Sequence, residues 1–210
     1  IPVDGLQPGT EYRYRFSAAG GEPSAWEGEV RTFGRRPGGT GSEDLVIAVS
    51  SCARTGSNGQ VYDAIRSIDP DLFLITGDMH YSNIARNDVD AFDRAYDTVL
   101  TAAAQAALYR STPVAYVWDD HDFGGNDADA SSPSRPAARA SYERNIPSHE
   151  LVSSTTINQA FSVDGVRLVL LDTRSAREPG NTLLGDEQLT WLRAELLASS
   201  PTHDLVIIVS

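Results

Sequence analysis

Leu45-Val46-Ile47-Ala48-Val49-Ser50-Ser51-Cys52 is an apolar run that ends on two serines and the single cysteine of the 210-residue chain. A run this short suits a strand buried on both faces. Two more strand ends follow it, Ile75-Thr76-Gly77-Asp78-Met79-His80-Tyr81 and Val117-Trp118-Asp119-Asp120-His121-Asp122. Each brings aspartate just past its apolar stretch. Open α/β sheets place their chemistry in the crevice at the C-terminal tips of the strands, where soft and hard donors from separate segments converge. The three tips together point to a metal site.

Outward from these tips, strand and helix signals alternate. Residues 60–68 set Val61, Ala64, Ile65 and Ile68 at helical spacing, and Pro70 closes the element. Residues 71–76 are the next strand, residues 88–108 predict one longer alanine-rich helix with Phe92, Tyr96, Leu100 and Ala103, and residues 114–118 return as a strand. In residues 161–171 Asp164-Gly165 lies between two apolar stretches, the signature of a hairpin. Leu189, Leu192 and Leu196 share one stripe of a helix that starts near Asp186, whose charge suits the positive end. The alternation implies an α/β fold with a layered sheet core and flanking helices. Its last strand, residues 205–209, is expected to leave that sheet incomplete at the C-terminus.

The first 34 residues read differently. Tyr12, Tyr14 and Phe16 alternate with Arg13 and Arg15, the period of a half-buried strand. Leu6-Gln7-Pro8-Gly9-Thr10-Glu11-Tyr12 resembles the tyrosine-corner stretch of fibronectin type III-like domains, in which the hydroxyl bonds to the upstream backbone. A second strand over residues 28–33 makes two, where such a sandwich needs about seven. Residues 1–34 are therefore expected to be the C-terminal part of a β-sandwich, residues 35–43 a breaker-rich linker, and residues 44–210 the α/β domain. Residues 123–151 are loop-like apart from a short helix over 135–144; they either wall the site or form a solvated loop, and composition favours the loop.

A formal net charge of -12 with no basic run argues against a nucleic-acid partner. A phosphate substrate would need cations for neutralisation. One cysteine excludes an internal disulfide. No stretch approaches the ~20 apolar residues of a membrane helix.

Taken singly, the candidate residues have ordinary readings. Asp78 suits a turn, Tyr81 a buried aromatic, and Cys52 a small core hydrophobe. His80 and His203 read as surface residues. Asp119-Asp120-His121-Asp122 is harder to dismiss, because four ionisable groups in a row cannot all be buried unpaired. Metal coordination is one way to keep them together; an exposed turn is the other, which the preceding Val117-Trp118 disfavours.

The ordered set Ser50-Ser51-Cys52, Gly77-Asp78-Met79-His80-Tyr81 and Trp118-Asp119-Asp120-His121-Asp122 resembles the alkaline phosphatase D branch of the calcineurin-like metallophosphatases. The resemblance continues through Ser141 to Pro147, Leu171-Asp172-Thr173-Arg174 and Leu184 to Leu192. It implies that Cys52 and Tyr81 bind ferric iron and that Asp78 bridges iron to a second metal, usually calcium. It further implies that Asp120 takes the asparagine ligand position of the superfamily's Gly-Asn-His-Glu element. His121 then contacts phosphate or protonates the leaving group, and Asp119 and Asn126 are weaker candidates for the calcium shell or the substrate. The family's C-terminal histidine and aspartate ligands are expected beyond Ser210, so residues 1–210 alone are expected to bind metal weakly and turn over negligibly.

The resemblance also implies metal-dependent hydrolysis of small-molecule phosphate esters, both mono- and diesters, by an exported protein acting outside the cell or in the periplasm. Two alternatives stay open. One keeps the fold and acts as a phospholipase D-like or nucleotide-releasing phosphodiesterase; the other is a non-catalytic surface-binding protein.

Overall fold

A computed structural model of the chain describes residues 3–17, 21, 23–34 and 44–210. The linker expected at 35–43 lies outside these. Strands β1 (Glu11–Ser17) and β2 (Pro23–Arg31) form an antiparallel pair. Next come β3 (Ile47–Ser50), α1 (Gln60–Ser67), β4 (Leu72–Ile75), α2 (Val89–Leu100), α3 (Ala103–Tyr109) and β5 (Val114–Tyr116). The chain continues through α4 (Asp120–Phe123), α5 (Arg135–Asn145), β6 (Gln159–Val163), β7 (Val166–Leu170), α6 (Gly185–Ser199) and β8 (Leu205–Val209).

β3, β4 and β5 make a parallel sheet with β4 at its centre, and every residue of β4 is buried. Ser50 lies opposite Ile75, and Ile75 opposite Tyr116, so the three strands end level along one edge. That register is what places the following loops side by side. β6 and β7 pair antiparallel and β7 and β8 parallel in a second sheet. The hairpin turn puts Asp164 at φ 45° and Gly165 at φ 83°, both left-handed, as a tight Asp-Gly turn requires. Phe161, Val163, Leu168, Leu170 and Val209 of the second sheet share one core with β4, with Phe92, Tyr96 and Val99 of α2, and with Ala137, Ala138 and Tyr142 of α5.

Two expectations change. The single helix expected over 88–108 is broken, because Ala102 adopts an extended conformation (ψ 127°) and α3 restarts after it. A distant side chain fixes the break: Asn58 Oδ1 accepts from the Ala104 N–H at 3.0 Å, satisfying a donor that a helix start leaves free. Segment 123–151, where composition favours a solvated loop, packs inward instead. Phe123, Ser134, Ala137, Ala138, Ser141 and Tyr142 are buried, and the Tyr142 hydroxyl donates to the Tyr116 carbonyl at 2.9 Å.

The β1–β2 hairpin rests on the α/β body. The Tyr12 hydroxyl accepts from the Gln7 N–H at 2.8 Å, the upstream backbone bond of a tyrosine corner. Glu29 N–H and the Tyr14 hydroxyl both donate to the Arg110 carbonyl, at 3.1 and 3.3 Å, and Arg31 is ion-paired with Asp69 and Asp71. Gly28 makes this docking possible, since a Cβ there would run into the Tyr14 ring and lie 2.7 Å from the Arg110 carbonyl oxygen. Gly28→Ala is expected to lower stability by about 1–3 kcal/mol, the usual cost of overpacking, read as an earlier urea midpoint. An unchanged midpoint would mean that the hairpin does not dock this way.

Candidate metal centre

The level strand ends deliver three loops to one edge. Past β3 and β4 the backbone stays zipped, with Cys52 N–H donating to Gly77 O at 3.2 Å and Ala53 N–H to Asp78 O at 2.9 Å. Cys52 and Asp78 both adopt left-handed backbone conformations, φ 57° and 54°. Non-glycine residues rarely sit there, and such strain concentrates at functional sites. Gly77 is pressed against the third loop: a Cβ at Gly77 would lie 2.5 Å from Asp119 Cβ, and its φ of 106° suits glycine alone.

Side chains then converge. Cys52 is exposed, away from packed hydrocarbon, with Sγ 3.7 Å from Asp78 Oδ2. Interaction with the Cys52 and Asp78 side chains, together with burial, holds the Tyr81 phenol proton more firmly than usual. One donor atom each from Asp78, Asp120 and His121 lies within 4.8 Å of the others. Asp78 is only 5% exposed, and its Oδ1 is buried without a hydrogen-bond partner among the described residues. A buried carboxylate oxygen with no donor beside a second carboxylate is unfavourable unless a cation compensates it. The carboxylates of Asp78 and Asp120 and the His121 imidazole therefore fit a cation here, with the Cys52 thiol beside Asp78.

The third loop holds its carboxylates by backbone donors. Asp120 Oδ2 accepts from Asp127 N–H at 2.5 Å, and Oδ1 accepts from His121 N–H at 3.0 Å. Asp122, fully buried, accepts from the N–H groups of His80 (2.9 Å) and Asp119 (3.1 Å), tying the second loop to the third. Burial pushes its carboxyl up to about 7 despite these bonds.

The sequence profile of the PhoD-like phosphatases matches residues 47–208. The chain belongs to that family. A solved structure of PhoD superposes with a TM-score of 0.79 at 21% identity, over 98% of this chain and 48% of that one. Purple acid phosphatase PPD1 from yellow lupin (Lupinus luteus) seeds superposes with a TM-score of 0.62 at 14% identity, over 97% of this chain and 36% of that one. The chain thus spans about half the length of the PhoD structure. At these identities the likeness is one of fold, and the family is that of the PhoD-like phosphatases. No curated protein matches the chain.

Several residues of this PhoD-like chain differ from expectation. His80, expected at the surface, is entirely buried with its ring edge against Tyr96 (centroids 5.3 Å apart), and burial depresses its pKa to about 4. His203, by contrast, is partly exposed, in keeping with a place at the surface, and its Nε2 is paired with the Ser162 hydroxyl at 2.8 Å. Asp119 is turned to Arg174, whose Nε lies 2.5 Å from Oδ1, and the Asn126 amide is turned to Asp127 at 2.8 Å. Asp172 is a buried hub beneath the site. Its Oδ1 accepts from Trp118 Nε1, Arg174 N–H and Ser175 N–H, and its Oδ2 from Ile157 N–H, all at 2.9–3.0 Å. Sequence reading missed the parts played by Asp122 and Asp172; the one cue to Asp122 is its place three residues after the cap Asp119, a capping-box spacing.

Proposed function

We propose that the protein of which this chain is part is a metal-dependent phosphoric ester hydrolase acting on small-molecule phosphomonoesters and phosphodiesters. The reading rests on one observation, the convergence of Cys52, Asp78, Tyr81, Asp120 and His121 at three level strand ends. Cys52 and Tyr81 are assigned to ferric iron, Asp78 to both cations, and Asp120 to the second, calcium. When bound, such cations supply an acidified water as nucleophile and neutralise phosphate oxygens.

The chain's own residues do the rest. Asp127 and His121 backbone N–H groups hold the Asp120 carboxylate in a fixed orientation, and Asp122 holds its loop against that of Asp78. His121 is mostly covered, and its Nε2 lies 3.9 Å from Asp120 Oδ1, on the side of the donor cluster. There it protonates the departing oxygen, a contribution of about 10²–10⁴ in rate.

Among the described residues no helix is long and apolar enough to cross a membrane. Export is proposed from the family resemblance. The full-length protein, supplied with iron and calcium, is expected to hold both metals and to hydrolyse p-nitrophenyl phosphate and bis(p-nitrophenyl) phosphate. Metal-free protein with neither activity would refute the reading.

A further inference from the structure

Asn83 belongs to no motif, yet it bridges two of the convergent side chains. It is exposed and takes a left-handed conformation, φ 52°, which asparagine tolerates better than most residues. Its Nδ2 donates to the Tyr81 carbonyl at 3.1 Å, and its Oδ1 lies 2.5 Å from His121 Nδ1. The carbonyl fixes which way the amide points, because only the NH₂ end can bond to it. Oxygen therefore faces the imidazole. An oxygen acceptor at that distance demands a hydrogen on Nδ1. The Tyr81 ring, 4.3 Å from the His121 ring between centroids, limits the remaining rotation.

We propose that Asn83 is a positioning residue that locks His121 as the Nδ1–H tautomer, so that Nε2 alone exchanges a proton with the leaving group. This rests on the reading of His121 as the acid. In the step, the P–O bond breaks and its electron pair goes to the departing oxygen. Nε2 of the Nδ1–H ring first takes a proton from solvent, giving the imidazolium; the departing oxygen then takes that Nε2 proton, the N–H pair returns to Nε2, and the neutral ring keeps its bond from Nδ1–H to Asn83. Alkoxides, being poor leaving groups, need that proton; p-nitrophenolate needs it little.

The test compares an alkyl phosphate with p-nitrophenyl phosphate in the full-length, metal-loaded protein. His121→Gln is expected to slow the alkyl ester about 10²–10⁴-fold and the aryl ester much less. Asn83→Ala is expected to show the same selectivity at about 10–100-fold, the range for an outer partner that orients a functional histidine. Asn83→Asp, which keeps an acceptor oxygen, recovers most of the loss, and Asn83→Ala adds nothing in the His121→Gln background. ¹⁵N NMR of the metal-free protein gives a readout apart from activity: His121 is expected to carry its hydrogen on Nδ1, and to mix tautomers in Asn83→Ala. An Nε2–H ring in the parent, or an unchanged ring in Asn83→Ala, overturns the proposal. Selectivity in His121→Gln but not in Asn83→Ala overturns it as well. Loss of selectivity in His121→Gln itself overturns the acid reading instead, leaving the tautomer for NMR to decide.

Discussion

Asp78→Asn in the full-length protein is expected to abolish metal binding and to lower ester hydrolysis by well over 100-fold, more than the ~10–100-fold caused by loss of an outer partner. The substitution changes little else. Asparagine has the same shape and accepts the left-handed backbone that position 78 requires. What it removes is the charge on a buried carboxylate whose Oδ2 lies 3.7 Å from the Cys52 thiol and whose Oδ1 has no hydrogen-bond partner among the described residues. Because that charge also repels Asp120, the metal-free variant is expected to melt no lower than the metal-free parent. Metal analysis, the rate and a melting curve check the three parts. A variant that keeps both metals and its rate contradicts the assignment.

Asp172→Ala is expected to be the most destabilising single change near the site. The carboxylate is fully buried and satisfies four N–H donors, three on Oδ1 and one on Oδ2. Each stranded donor costs about 1–3 kcal/mol, so the loss reaches about 4 kcal/mol or more even after relaxation. That approaches the whole stability of a marginal domain, ~5–15 kcal/mol. Asp172→Asn is expected to be milder, because its carbonyl can still serve the three donors on Oδ1 and only the Ile157 N–H is left facing an amide. Urea unfolding should rank parent above Asn and Asn above Ala. An alanine variant that unfolds with the parent would show that the hub carries no weight.

The sheet is legible because its strands are apolar runs, and β4, Leu72–Ile75, is buried throughout as such a run requires. β3 departs from the expected burial on both faces: it is only partly buried and Val49 is exposed, since it lies at the edge of its sheet. Cys52, Asp78, Tyr81, Asp120 and His121 could be grouped on the same basis, since each lies just past one of those runs and parallel strands in level register bring their ends together. Which cation each donor would serve came from the family resemblance, as single residues have commoner uses. The misreadings have long-range causes. The break after α2 depends on Asn58, 46 residues before the Ala104 it caps, and His80 is buried because Phe92 and Tyr96 of α2 cover it. Nothing in the sequence around Asp119 reveals its partner Arg174, 55 residues on.

Asn83 and Asp122 extend the lesson from ligands to the groups that aim them. Both act on backbone or ring N–H groups from another loop, a relation that spacing alone does not encode.

X-ray absorption at the iron edge, recorded on the full-length protein and on its Cys52→Ser variant, tests the convergence most directly. A sulfur neighbour bonded to iron in the parent and absent from the variant is the predicted result. Iron surrounded by light atoms alone in the parent, or a sulfur signal that survives the substitution, contradicts it.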